Sequence, residues 1–337
     1  MQSNSDFMKT SVIVLNWNGI DVLKECVASL MRASGDFFVV VADNASSDGS
    51  VEKICSWCAK KGIPCSVVNE GEESGAVAGG KDVLVYSMKD NYGFAKGNNK
   101  AVALAMQSKP ERILLLNNDT EVEPDFLERL EEFQHSAPAY QVLTPLIFFA
   151  GERNRIWNAG GRLKLGFRKY FYANQARGDI KERVFKPITF VTGCALYVPV
   201  SLLYDGGKVL TERFFFGEED FEFSMRMNRQ GVKMACVLDS VIYHKVGASG
   251  SRMHAPGKVY LHYLNRFIDI RLHKSRPFYV AWAIVNIPFC LRHFHKATHS
   301  FGQSLKLVRH LLADARRKQG VSHDDFDALV INKTYFK

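Results

Sequence analysis

Five stretches of the sequence place carboxylates, amides or an imidazole where an apolar run ends or a helix begins. "VVVADNASSDGS" puts Asp43 and Asn44 just past a run of valines, and "DNYGFAKGNNKAV" gathers Asn91, Gly93, Gly97, Asn98 and Asn99 around Lys96. "ILLLNNDTEVEP" ends in Asn117-Asn118-Asp119, "RFFFGEEDFEFSMRMNRQG" carries Glu218, Glu219, Asp220 and Glu222, and "VIYHKVGASGS" sets His244 before a Gly/Ser-rich loop. Each has a chemistry open to it. An acceptor such as Asp43 can hold an N–H of a base or a sugar hydroxyl, and the N-terminus of the next helix favours an anion. Glycines let backbone approach a ligand closely, while amides both donate and accept. Asp119 suits a hard divalent cation that keeps its waters and bridges phosphates. Three consecutive carboxylates repel one another, so one held against an apolar wall gains proton affinity and can serve as a base.

Plainer readings compete at every position. Asn117 and Asp119 can form a turn and cap the helix that begins near Pro124. Ser47 or Asp48 can cap a helix, although that leaves Asp43 without a reason. The acids at 218–222 suit any helix start, and a lone histidine is more often structural than a metal ligand.

The elements that must present these residues alternate. Strands are expected at about 11–17, 37–43, 64–69, 83–88 and 112–117, with helices at about 20–33, 48–61, 94–107 and 124–135. That alternation predicts a wound, mainly parallel α/β sheet, in which ligands gather beyond the carboxyl ends of the strands. Residues 70–81 read as a Gly-rich surface insertion. After Tyr140 come "YQVLTPLIFF", a basic aromatic patch "RLKLGFRKYFY", an apolar strand in "FVTGCALYVP", a helix from about Glu219 to Arg229 and a strand from about 233 to 243. No linker divides them, so residues 1–250 read as one domain and 251–337 as a helical extension.

A chain of 337 residues with 47% hydrophobic content can bury a large core. The opening "MQSNSDFMKT" has no apolar stretch of signal-peptide length, which leads us to expect a cytoplasmic location. Seven scattered cysteines do not resemble a disulfide framework, and Cys55-Ser56-Trp57-Cys58 fits the buried face of a helix better than a metal site. Residues 245–337 hold 16 Lys+Arg against 5 Asp, a surplus of +11, which leaves −2 for the rest of the +9 chain.

In this order, "VLNWNG", "DNASSDGS", "NYGFAKGNN", "NNDTEVEP", "TGCALYVP", "FFFGEEDFEFSMR" and "YHKVGAS" resemble family 2 glycosyltransferases of the rhamnosyltransferase-like branch, over about residues 10–250. The resemblance implies a GT-A fold, a Rossmann-like sheet in a three-layer α/β/α sandwich. It also implies inverting transfer from a nucleotide-diphosphate sugar, with Mn2+ or Mg2+ on the diphosphate. Asp43 matches the acid that binds base or ribose, and Asn16, Gly93 and Asn98 match nucleotide-contacting positions, with Asn91, Asn117 and Asn118 in the same donor site. Asn117-Asn118-Asp119 stands where the family carries D-x-D, so the first acid is replaced and Asp119 is left as the carboxylate ligand. Asp220 matches the general base, with Glu219 beside it, and His244 matches a histidine that completes the metal site.

Two other classes fit part of the pattern. A nucleotidyltransferase would carry a Gly-rich basic loop after the first strand, and "LNWNGIDVLKE" does not. A non-catalytic nucleotide-sugar-binding protein would have no use for Asp220 or His244. Long apolar runs among the C-terminal basic residues argue against nucleic acid and for a membrane surface. In "RPFYVAWAIVNIPFCLRHFHK" an apolar core too short to span lies between basic flanks, so the expectation is a segment lying in the surface. Trp282 and Phe289 would insert, and Arg276, Arg292 and Lys296 would meet anionic headgroups. Leu305, Val308, Leu311, Leu312 and Ala315 continue at helical spacing. Such an enzyme would sit on the inner face of the cytoplasmic membrane and glycosylate a saccharide or lipid-linked acceptor. Packing on the domain or a homodimer is the alternative.

Overall fold

A computed structural model describes residues 10–73, 75, 80–246 and 255–332. Most of the Gly-rich insertion, residues 247–254 and the first nine residues lie outside them.

The unbroken apolar runs form the buried middle of one large sheet. Strands β1 (Thr10–Asn16), β2 (Phe37–Asp43), β3 (Cys65–Asn69), β4 (Val83–Ser87) and β5 (Arg112–Asn117) are parallel, in the spatial order β5-β1-β2-β4-β3. Every residue of β2 is buried, as a strand covered on both faces requires. Helices α1 (Ile20–Arg32), α2 (Ser50–Lys61) and α4 (Phe126–Ser136) cover one face through Leu23, Ile54 and Phe126. The other face packs on α3 (Gly93–Ala105) and α5 (Glu219–Arg229) through Val102, Phe223 and Met227. The result is the expected three-layer sandwich, and β1–β5, α1–α5 and their order agree with the sequence reading.

Past β5 the sheet becomes mixed. It continues through β7 (Tyr140–Phe149), β12 (Ala195–Pro199) and β13 (Lys233–His244), in the order β13-β7-β12-β5, with β12 antiparallel to both of its neighbours. Short strands β6 (Thr120–Val122), β8 (Glu152–Asn158) and β11 (Phe185–Ile188) border this half. A separate hairpin joins β9 (Gly161–Lys164) to β10 (Phe167–Tyr170). The strand expected across residues 190–199 begins only at Ala195. The Cys194 carbonyl still accepts from the Asn117 backbone N–H, but at Gly193 the chain turns away and its N–H points at Asp220.

The basic extension folds as α6 (Ala255–His273), α7 (Arg276–Thr298) and α8 (Phe301–Arg317). These helices share a third core with Phe190, Phe214 and Phe221 of the preceding part, so packing does not stop at residue 250. Trp282 does not insert anywhere: it is 4% exposed, set edge-on to Phe267. Spacing alone could not say which side of an almost wholly apolar helix meets the protein. Val308, Leu311 and Ala315 are likewise buried, whereas Phe289 and Leu305 face solvent. Among the described residues, no helix is long and apolar enough to cross a membrane.

Cys58 is buried beside Ile54 as the helical spacing predicts, and all seven cysteines are free thiols. Cys65 of β3 brings its sulfur to 3.7 Å from that of Cys55, a neighbour the Cys55/Cys58 spacing did not reveal.

Candidate active site

Register brings the first group of residues together. Asn16 ends β1 opposite Asp43 at the end of β2, and β5 lies on the other side of β1. Asn16 donates from Nδ2 to Asp43 Oδ1 at 3.0 Å and accepts at Oδ1 from Asn118 Nδ2 at 2.8 Å. The second Asp43 oxygen accepts from the Ser46 N–H at 2.9 Å. A continuous buried line thus runs from Asp43 through Asn16 to Asn118 and Asp119 across three strand ends. Caps and turns alone would not need it.

Asp119 then meets His244. β13 pairs with β6, and His244 Nε2 stands 3.0 Å from Asp119 Oδ1. Both side chains are buried, and the Asp119–His244 contact is a direct carboxylate–imidazole pair. Burial works against an imidazolium here, but Cys194 and Asp119 outweigh it and push the His244 pKa up to about 10. Trp157 of β8 meets the imidazole edge-on at 4.4 Å between centroids and fixes its plane. A divalent cation would take the imidazolium proton's place between the two groups, with His244 neutral and Asp119 ionised as ligands. Among the described residues, no group of three or more His, Cys, Asp or Glu could hold a metal. Asp119 and His244 would be the protein's contribution to such an ion.

The glycine-and-amide cluster works differently from the sequence expectation. Asn44 donates to Asn91 Oδ1 at 2.8 Å and to the Gly93 carbonyl, and accepts from the Tyr92 N–H, so Asn91 and Gly93 do join the β2 end. Gly93, however, has φ of +75°, and a Cβ there would lie 2.1 Å from the Phe215 carbonyl oxygen. A methyl on Gly97 would lie 2.9 Å from Leu15. The close approach that demands glycine at both positions is to protein. Asn98 is buried and donates to the Phe94 carbonyl one turn back, while Asn99 holds the 209–212 segment through Val209, Leu210 and Glu212.

The three consecutive carboxylates part company because they leave the helix start in different directions. Glu218 caps α5 with a strained left-handed φ of 69° and turns into a cationic nest. Arg266 Nε donates to it at 2.6 Å, His262 Nδ1 lies 2.8 Å away and Arg168 3.5 Å. Burial disfavours the Glu218 charge, but His262, Arg266 and Arg168 overcome it and hold the group well below the carboxylate range. Glu219 accepts from the Gly217 amide, and burial, reinforced by Asp220 and Glu218, pushes it up to about 8. Asp220 is raised by burial as well, against the pull of Arg168 3.6 Å away, and its Oδ2 accepts from Gly193 N–H at 3.4 Å. Its side chain is 23% exposed where that of Glu218 is 4%, so Asp220 is the acid a substrate can reach. The Gly193-Cys194 segment, bonded to Asp220 at one end and to Asn117 at the other, couples this acid to the Asp119 corner.

Arg168, Arg266, His262, Trp157 and the role of Glu218 were not foreseen. Arg168 lies in the basic aromatic patch noted above, but nothing in sequence spacing ties it to a helix start fifty residues away.

The wound, mainly parallel sheet between two helical layers, with acids and amides along the carboxyl edge of its strands, is the GT-A architecture. Residues 11–205 match the description "Glycosyl transferase family 2", and the chain belongs to that family. No curated protein matches the sequence. Among solved structures, the chain is similar to S. aureus TarS 1–349 in complex with UDP-GlcNAc, with 17% identity, TM-score 0.56, and 97% of this chain and 85% of that one covered. It is also similar to the mannosyltransferase PcManGT from Pyrobaculum calidifontis in complex with GDP-Man and Mn2+, at 15% identity and TM-score 0.54, covering 93% and 76%. GalNAc-T7 with UDP, GalNAc and Mn2+ gives 16% identity and TM-score 0.56, covering 96% and 56%. These likenesses bear on the fold.

Proposed function

We propose that the protein is an inverting glycosyltransferase that moves a hexosyl residue, rhamnosyl included, from a nucleotide-diphosphate sugar to a hydroxyl of a saccharide or lipid-linked acceptor in cell-envelope polysaccharide synthesis. The observation that carries this reading is the joining of two corners: the buried Asp119–His244 pair and Asp220, linked by the Gly193-Cys194 segment. That the solved relatives hold UDP-GlcNAc, GDP-Man and Mn2+ supports the same direction.

In this reading Asp43 and Asn16 receive the nucleoside, with Asn91, Gly93, Asn98, Asn117 and Asn118 shaping the pocket around it. Asp119 and His244 would hold Mn2+ or Mg2+, which when bound neutralises charge developing on the departing diphosphate. No general acid is then needed. Asp220 takes the proton of the acceptor hydroxyl as its oxygen attacks the anomeric carbon from the face opposite the diphosphate, which inverts the configuration once. Arg168 beside Asp220 favours its ionised form, the form a base needs, against the burial that favours the acid.

The test is release of nucleoside diphosphate from a panel of nucleotide sugars with Mn2+ present. Asp220→Asn should keep donor binding and lose about 10²-fold or more in turnover, with Glu219→Gln milder. Equal loss of donor affinity in Asp220→Asn would assign the residue to structure or metal instead.

A further inference from the structure

The β9–β10 hairpin and the outer face of α7 expose apolar side chains that the reaction does not use. On α7, Trp282, Asn286, Cys290 and Phe294 repeat every four residues and are buried, whereas Val280, Ile284, Val285 and Phe289 are each about half exposed or more. The hairpin tip adds Leu165, 63% exposed, and Phe167. The two surfaces adjoin. Phe167 lies 6.1 Å from Trp282 between ring centroids, and Gly166 fits so closely against Trp282 that a Cβ would lie 2.7 Å from its indole nitrogen. Val285 and Phe289, three and seven residues beyond the buried Trp282, form the edge of the exposed face nearest the hairpin, and Val280 and Ile284 continue that face away from it.

Charge on these segments has one sign. No Asp or Glu occurs between Asp269 and Asp314, a stretch that carries Arg271, Lys274, Arg276, Arg292, Lys296, Lys306 and Arg309. The hairpin has Arg162, Lys164 and Lys169 exposed and no acid at all. Apolar side chains flanked by cations complement an anionic bilayer, whose headgroups meet the charges while the side chains enter the boundary. A two-fold contact with a second copy would set this cationic face against itself.

We propose that the hairpin tip and the outer face of α7 together form a docking surface for an anionic phospholipid bilayer. The surface also explains the basic aromatic patch, which the catalytic reading leaves largely unused. Arg168, in the same hairpin, touches Asp220, so the docked hairpin sets the base beside the leaflet. That consequence, delivery of a lipid-linked acceptor to Asp220, rests on the glycosyltransferase reading; the docking itself does not.

The experiment is co-sedimentation of the full chain with phosphatidylcholine vesicles, with and without phosphatidylglycerol, at low and high salt. Binding is expected only with phosphatidylglycerol and should weaken as salt screens the charges. Ile284→Glu with Phe289→Glu, and separately Leu165→Glu, should each weaken it by roughly 10-fold or more, as loss of a buried apolar side chain dictates. Val67→Glu, on exposed β3 at the far edge of the sheet, should not. Binding indifferent to phosphatidylglycerol, or unaltered in both surface variants, would overturn the proposal. So would a dimer by light scattering that the Ile284/Phe289 variant converts to monomer. Release of nucleoside diphosphate is measured in parallel: vesicle binding without such release would fail the enzymatic reading and leave docking standing, and the reverse result would do the opposite.

Discussion

Replacing Glu218 by glutamine removes the negative charge from a cluster of cations while nearly preserving shape. In the native protein the Glu218 side chain is 4% exposed, between Arg266, 11% exposed and lying over the Phe221 ring at 4.0 Å, and Arg168, 15% exposed. His262 is 43% exposed, so water screens its share and we assign it little. Removing one partner of a buried ion pair leaves the other charge uncompensated, at about 3–5 kcal/mol. The amide oxygen still accepts one hydrogen bond from Arg266, which places Glu218→Gln near the lower end, about 3 kcal/mol. At about 2–4 °C per kcal/mol for a domain of this size, the melting temperature should fall by roughly 6–12 °C. The pH dependence has a definite sign. The folded-state pKa of Glu218 is depressed, so its stabilisation is fully present above the unfolded value of about 4.3 and is lost as pH falls toward the folded one. Calorimetry of the two proteins should therefore show a constant gap from pH 7 to about 5.5 that narrows below about pH 4. Adding Arg266→Met should restore most of the loss, because it removes the stranded cation. A gap below about 1 kcal/mol at pH 7, or no recovery in the double variant, would show that the nest is solvated and that Glu218 does not anchor α6 to α5.

Other substitutions probe the site and its scaffold. Asp119→Ala and His244→Ala should each weaken Mn2+-dependent nucleotide binding, with the double variant barely worse than either; additive losses would deny a shared ion. EDTA should abolish transfer in the unaltered protein. Glu131 is fully buried and pushed up to about 8 by desolvation, so its stabilisation is complete below about pH 4.3 and lost as pH rises through about 8. Glu131→Gln, which keeps the Thr10 hydrogen bond without a titrating group, should accordingly raise the melting temperature at pH 9 and change it little at pH 5. Gly93→Ala combines a left-handed φ with the 2.1 Å approach to the Phe215 carbonyl and should cost about 2–4 kcal/mol by denaturant unfolding.

Much of this architecture is local, and so was readable in the chain. The apolar runs of β1, β2 and β5 are uninterrupted because both faces of each are covered, and polar residues appear where each strand leaves the sheet. That boundary marked Asp43 and Asp119 directly. The Glu219–Arg229 helix also announced itself, through acids at its start and Gly231 after its end. What the sequence could not carry was the direction of side chains and the meeting of distant segments. Three adjacent acids look alike until Arg266 and His262 of α6 claim Glu218, Gly217 claims Glu219 and Asp220 is left toward the cleft. Glycine at 93 was read as room for a ligand because the composition of a tight turn does not say what approaches it, and the approaching group is the Phe215 carbonyl. Trp282 lies in a helix apolar on nearly every side, so periodicity had no polar stripe from which to orient it. Only the packing of α6 and the β9–β10 hairpin against one side decided which residues became core and which remained exposed.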